Sequence, residues 1–316
     1  MRMLVLGAGG TGGYFGGRLA QAGADVSFLV RPARARALAV EGLRIRSPVG
    51  NADLAVRCVT AEDLPADVAA RRYDLVLLSC KAYDLDASIE AIAPAVEAGA
   101  DVLPLLNGLL HYDALDARFG SARMLGGLCF ISAAKGGDGE ILHLGPVASI
   151  TFGERSGPHD SPRCLAIAEA FAPASFDAVH AQDIHHELWV KYSFLTTLAA
   201  ATCLMRASIG VIVATDGGEA FVRALYAECV EVARAAGQAI SETVQATALG
   251  ALTQTGSPLT ASMLRDLESH QRIEAAHIVG DLVHRAAALG VAAPLLGIAW
   301  THLQAHLLRQ GPAKTA

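Results

Sequence analysis

The 316-residue sequence contains no run of about 18 uncharged apolar residues, the length that a membrane-spanning helix requires. The nearest approach, residues 193–205, is shorter, carries three threonines and is flanked by Lys191 and Arg206. It reads as a buried helix, and no membrane partner is expected. Arg2 and the short apolar stretch after it imitate a secretory signal. That stretch passes straight into glycines and offers no cleavage site, so a signal is rejected. The six cysteines, at positions 58, 80, 129, 164, 203 and 229, form no CxxC pair and are expected as reduced thiols of a cytoplasmic protein. With a net charge of −6 and no basic block, nucleic acid is excluded as the main partner. There is no GxSxG elbow to support a hydrolase. His185 with His186, and His302 with His306, lie outside any HExxH pattern and have no evident third ligand; they read as helix-surface histidines, and no metal is expected.

What is abundant is apolar, with 53% hydrophobic residues and a mean hydropathy of +0.38. Much of it is alanine, which points to helix packing rather than lipid contact. The length suits two domains. Residues 2–6 (RMLVL) read as a buried strand and residues 12–22 as a helix stopped by Gly23; residues 25–30 (DVSFLV) read as the next strand. Strands at 75–78 and 102–106 with a helix at 85–97 continue the alternation, which predicts a doubly wound parallel sheet. From 126 to 153 short β-like pieces between glycines predict antiparallel strands added at the edge of that sheet, and the β texture ends near 176–180. Beyond Asp183 helical spacing dominates, with helices expected at 185–205, 217–236, 239–252 and 263–289 and a polar break at 253–260. The final GPAKTA reads as a frayed tail. The fold class is therefore α/β: a Rossmann-type domain over residues 1–181 and an all-helical domain over 182–316, with the active site expected in the cleft between them.

Gly7-Ala8-Gly9-Gly10-Thr11-Gly12 fits GxGxxG. The pattern alone is weak, but here it joins a strand to a helix inside a βαβ unit, as dinucleotide binding requires. Gly7 permits the tight turn, Gly9 the approach of a pyrophosphate, and Gly12 close packing of helix on strand. The helix N-terminus then presents free N–H groups to the phosphates. The second strand ends without the carboxylate that would accept from a ribose 2′-hydroxyl, and continues Arg31-Pro32-Ala33-Arg34-Ala35-Arg36. Guanidiniums pair with a 2′-phosphate that a carboxylate would repel, so NADP (NADPH) is expected rather than NAD. Arg31 is the first candidate for that contact, with Arg36 or Arg34 second.

Two polar groups follow strands where open sheets bind ligands: Lys81 in Ser79-Cys80-Lys81, and Asn107 before Gly108. Either could hold cofactor or substrate, or be an ordinary loop residue. Lys191 interrupts the most apolar helix; an ammonium there needs a partner or a path to water. Ser262 suits a helix start, and Glu274 lies about three turns on along the same expected helix. By pattern Glu274 either faces inward toward Lys191 or is surface charge.

In this order and spacing GAGGTGGYFGGRLAQAG, LVRPARARAL, LSCKAYD, LLNGL, LHLGPVASITFGE, ELWVKYSF and SMLRDLESHQRIEAAHIVG resemble the 2-dehydropantoate 2-reductase (ketopantoate reductase) family over essentially the whole chain. The resemblance implies NADPH-dependent reduction of a 2-oxo acid to a 2-hydroxy acid, above all 2-dehydropantoate to pantoate in pantothenate biosynthesis. It implies Lys191 as general acid and Glu274 as the carboxylate that orients it or a substrate hydroxyl. Ser262 matches a substrate-carboxylate contact, Asn107 a contact to both cofactor and substrate, and Lys81 a cofactor-side contact. One departure bears on the substrate: the family's asparagines one and two turns after the lysine are replaced by Leu195 and Ala199, with Thr196, Thr197 or Thr202 as alternative hydroxyls. Alternatives are a reductase of another 2-oxo or β-hydroxy acid and a catalytically silent NADPH sensor. The expected partner is a small 2-oxo acid, and a homodimer is compatible with the sequence.

Overall fold

The computed structural model describes residues 1–310; the GPAKTA tail lies outside them. The chain divides into two compact units, one of Met1–Leu106 and His111–Ile184, the other of Asn107–Leu110 and the chain from His185 onward.

The first unit begins β1 (Arg2–Leu6), α1 (Gly10–Gln21), β2 (Asp25–Leu29) and α2 (Pro32–Glu41). It continues with β3 (Leu43–Arg46), β4 (Ala52–Leu54), β5 (Arg57–Val59), α3 (Leu64–Ala70) and β6 (Leu75–Leu78). After α4 (Leu85–Glu97), β7 (Asp101–Pro104) and α5 (His111–Phe119) come β8 (Gly126–Lys135), β9 (Ile141–Gly153), α6 (Pro162–Phe171) and β10 (Asp177–His180). Strands β5-β2-β1-β6-β7 form a wholly parallel five-stranded sheet. Its strands are near-continuous apolar runs because both faces are covered. Helix α1 stops at Gly23 (φ 89°), whose N–H bonds to the carbonyl of Ala20 while that of Ala24 reaches Leu19, a Schellman ending.

The strands expected at the edge of that sheet instead build a second one. In it β9 is central: it pairs antiparallel with β8 and parallel with both β3 and β10, and β4 closes the outer side of β3. At 13 residues β9 is long enough to serve three neighbours at different points along its length. The second sheet covers α1, whose glycines admit both sheets. A Cβ at Gly16 would lie 2.8 Å from the Phe28 ring of the first sheet; at Gly13 and Gly17 it would lie 2.8 and 2.7 Å from Ile141 and Ile45 of the second. Tyr14, Phe15 and Leu19 are fully buried in this layer with Ile150 and Phe152. The opposite face of the parallel sheet packs on α3 and α4 through Val68, Ile89 and Ile92. The N-terminal arginine of β1 is buried as well, bonded to Asp67 and stacked over the Tyr73 ring.

The second unit is helical, with α7 (Ile184–Met205), α8 (Ile209–Val213), α9 (Gly218–Ala235), α10 (Glu242–Leu252), α11 (Ser262–Glu268), α12 (Asp281–Ala288) and α13 (Pro294–Gln310). By length and composition α7 could cross a membrane, yet 72% of its most apolar window is buried inside the protein. The single helix expected at 263–289 is in fact broken. His270 takes a left-handed backbone (φ 55°), its N–H bonding to the Leu267 carbonyl and that of Gln271 to Asp266, so α11 ends in a Schellman motif without a glycine. A π-helical turn, Ala276–Gly280, then leads into α12. Arg206 (φ 53°) ends α7 in the same conformation. Glu228 of α9 caps α13, its carboxylate accepting from the N–H groups of Leu295 and Leu296 at 3.0 and 2.9 Å, where the helix dipole favours a negative charge.

Candidate functional site

In the parallel sheet the strand order reverses at β1, and ligands of such sheets bind beyond the carboxyl ends at that point. The groups standing there are the glycine turn after β1, Arg31 after β2 and Ser79-Cys80-Lys81 after β6. The Ser79 hydroxyl donates to the Leu6 carbonyl at 2.9 Å and joins two of these exits. Gly7 holds φ 87°, which few residues other than glycine adopt. A Cβ on Gly12 would lie 2.3 Å from Ser79 Oγ and 2.5 Å from the Gly7 carbonyl oxygen, so no larger residue fits without a backbone shift. Gly9 differs: its backbone is extended, it is exposed, and a Cβ there would meet nothing within 4 Å. Open space thus lies before the N-terminus of α1, bordered by Ala8, Gly10 and Thr11, where a pyrophosphate would be received. These residues fit a dinucleotide.

The three arginines separate clearly. Arg34 is half-buried, its Nη2 donating to the carbonyls of Gly139 at 2.6 Å and Ala8 at 3.4 Å. It ties the β8–β9 hairpin to the glycine turn. Arg31 and Arg36 are exposed and hold no side-chain hydrogen bond or ion pair among the described residues. Lys81 is half-buried, and its carbonyl accepts from Asp84 N at 2.9 Å as a short 3₁₀ turn begins.

In the second unit Lys191, on the first half of α7, is only 7% exposed, and its Nζ donates to Asn107 Oδ1 at 3.2 Å. Residues 84 apart in sequence are thereby brought together. An ammonium so buried needs such acceptors, because desolvation alone favours the neutral amine. Glu274 is 6% exposed and immediately precedes the π turn; its carbonyl accepts from His277 and Ile278 N–H. It therefore faces inward, though on a separate segment from Ser262 rather than on one helix with it. Ser262 is half-buried at the start of α11, and the preceding Ala261 N–H meets Thr202 Oγ1 at 3.5 Å. That attachment to α7 lies three turns beyond Lys191, not at it.

Two of the three threonines are engaged within their own helix. Thr197 and Thr202 donate to the carbonyls of Ser193 and Leu198 in their own helix, and Thr196 is wholly buried. Leu195 is half-buried and Ala199 fully so, and neither side chain can form a hydrogen bond. None of the six cysteines forms a disulfide. Burial pushes Cys203 and Cys229 up to about 12, which makes them packing residues rather than nucleophiles. His306, expected on a helix surface, is only 7% exposed. Sequence reasoning also missed Tyr192, next to Lys191. Its hydroxyl donates to Asp281 Oδ2 at 2.8 Å, with the Ile278 carbonyl at 2.9 Å. Only its polar tip in an apolar helix could have drawn attention to it.

The family model for ketopantoate reductase PanE/ApbA matches residues 3–157, and that for its C-terminal domain matches 183–306. An uncharacterized oxidoreductase of Bacillus subtilis, YkpB, is 36% identical over 96% of this chain and 98% of its own. A 2-dehydropantoate 2-reductase of Halobacterium salinarum is 29% identical over 94% and 95%. The crystal structure of 2-dehydropantoate 2-reductase from Geobacter metallireducens superposes with a TM-score of 0.86 at 30% identity, covering 96% of this chain and 99% of that one. The chain is an oxidoreductase and belongs to the ketopantoate reductase family, whose members reduce 2-oxo acids with NADPH.

Proposed function

We propose that residues 1–181 bind NADPH, that residues 182–316 supply the general acid, and that together they reduce 2-dehydropantoate to pantoate. One observation carries this proposal above the others: a single ammonium, 7% exposed, held 3.2 Å from an asparagine oxygen in a largely apolar helix. NADPH, when bound, supplies the hydride that adds to C2 of the 2-oxo acid. Lys191 then gives its proton to the former carbonyl oxygen, and its charge stabilises that oxygen as negative charge develops. Asn107 accepts from the ammonium and fixes its direction. Glu274 orients Lys191 or a substrate hydroxyl, and Ser262 contacts the substrate carboxylate. Gly7 to Gly12 and the N-terminus of α1 receive the pyrophosphate, Arg31 and Arg36 pair with the 2′-phosphate, and Lys81 and Asn107 face the rest of the cofactor. Six cysteines without a disulfide support a reducing, cytoplasmic compartment.

A second reading keeps the reaction and changes the substrate. Leu195 and Ala199 offer no hydrogen bond to a substrate hydroxyl, which favours a 2-oxo acid with an apolar side chain. Replacement of Lys191 by alanine tests what both readings share. NADPH affinity should survive and turnover should fall by about 10²–10⁴, the usual weight of a general acid. A Lys191→Ala variant that turns over like wild type refutes the assignment.

A further inference from the structure

Next to Lys191 in the chain, Tyr192 points elsewhere, since consecutive helical residues project about 100° apart. It is 2% exposed, and its hydroxyl has two acceptors on the segment after Glu274: Asp281 Oδ2 at 2.8 Å and the Ile278 carbonyl at 2.9 Å. Asp281 is itself 6% exposed, and Arg285 Nε donates to the same Oδ2 at 2.8 Å. The phenol is the donor in both contacts. Burial, with the neighbouring carboxylate, pushes Tyr192 well above the ordinary tyrosine value and keeps that proton in place.

The elements this bond joins are those of the reacting cluster. Ala276–Gly280 is a π-helical turn, which inserts a residue relative to an α-helix and recurs at functional sites. Glu274 stands just before it. Against the same turn rests the Asn107-Gly108 corner. Gly108 has φ 81°, and a Cβ there would lie 2.5 Å from the His277 carbonyl oxygen. The helix bearing Lys191 and the corner bearing its acceptor Asn107 are thus both seated on five π-helical residues, which Tyr192 and Asp281 fasten.

We propose that Tyr192 and Asp281 are positioning residues, whose buried hydrogen bond holds the π turn in register and so sets Lys191, Asn107 and Glu274 relative to one another. Without the hydroxyl, relaxation of the turn toward α geometry rotates Glu274 by about 100° and shifts the support under Asn107. Lys191 then loses an acceptor that favours its charged form, and its pKa falls. The proposal rests on Lys191 being the general acid, and its test has a readout that needs no turnover.

Tyr192→Phe, Asp281→Ala and Asp281→Asn are to be compared with wild type for kcat, KM and the pH dependence of kcat. Alongside, the pH dependence of Lys191 acetylation by acetic anhydride is followed by mass spectrometry, Lys191 being one of only four lysines. Tyr192→Phe and Asp281→Ala should lower kcat about 10–100-fold, with NADPH affinity within about twofold, and move the Lys191 titration down by about one pH unit, the size of one hydrogen bond to a charged group. Asp281→Asn keeps an acceptor for the phenol and should restore most of kcat. Should Tyr192→Phe not fold, Arg285→Met, at a 30%-exposed position, should give a smaller fall in the same direction. A folded Tyr192→Phe with a lowered Tm but unchanged kcat and Lys191 titration overturns the proposal. If wild type reduces no 2-oxo acid while the titration still falls, the positioning role stands and the proposed activity fails.

Discussion

One methyl group added at Gly9, or at Gly12, separates the two jobs the glycine turn performs. At Gly12 the new Cβ would lie 2.3 Å from Ser79 Oγ and 2.5 Å from the Gly7 carbonyl oxygen, and the second of these is backbone that cannot swing aside. Overpacking of this kind costs about 1–3 kcal/mol. For a unit of this size that lowers Tm by about 3–10 °C. At Gly9 the backbone is extended at φ −91°, which alanine accepts, and the methyl would meet no protein atom within 4 Å. Gly9→Ala should therefore melt with wild type. Its methyl stands where the pyrophosphate must approach, so the Kd for NADPH should rise at least about tenfold, or 1.4 kcal/mol. Differential scanning fluorimetry reads the first quantity and quenching of intrinsic fluorescence by NADPH the second. A Gly9→Ala protein that binds NADPH like wild type would refute the placement of the phosphates. A Gly12→Ala protein with unchanged Tm would refute the packing argument.

Arg31→Ala should weaken NADPH by about 10–100-fold, the size of a lost charge-assisted contact, and leave NADH unaffected, whereas Arg34→Ala should lower Tm because Arg34 holds the carbonyls of Gly139 and Ala8. Parallel titrations with both nucleotides check this. His302 and His306 are held below the ordinary imidazole value by burial and by the charges of Arg206 and Arg309. The unfolded chain thus takes up protons before the folded one, and stability should fall as pH drops below about 6.5. Melting curves from pH 8 to 5 should slope less for His306→Gln; an unchanged slope removes these histidines from the account. Leu195→Asn should raise kcat/KM for 2-dehydropantoate relative to 3,3-dimethyl-2-oxobutanoate, which lacks only the hydroxyl. An unchanged ratio would show that position 195 does not face that hydroxyl.

The parts of the fold legible in the sequence were those set by local pattern. The apolar run before Gly7, the glycines at the helix start and the stop at Gly23 each express a short-range rule, and β1-α1-β2 follows them. Lys191 stood out because an ammonium in an apolar helix must be partnered. What stayed hidden depends on distant partners. Nothing near residue 141 shows that β9 lines up beside β3, nearly a hundred residues earlier, and makes a second sheet over α1. A histidine in the left-handed region carries no glycine to mark it, so the end of α11 at His270 was invisible and Glu274 was placed on the wrong element. The three arginines after β2 look alike in sequence; the carbonyl of Gly139, 105 residues away, together with that of Ala8, sets Arg34 apart.

The central claim is tested most directly by following NADPH absorbance at 340 nm with purified protein and 2-dehydropantoate, beside 3,3-dimethyl-2-oxobutanoate, 2-oxoisovalerate, pyruvate and NADH. Oxidation of NADPH, faster than of NADH and dependent on a 2-oxo acid and on Lys191, is the expected result. NADPH binding without turnover of any 2-oxo acid would contradict it and leave a protein that senses the nucleotide without using it.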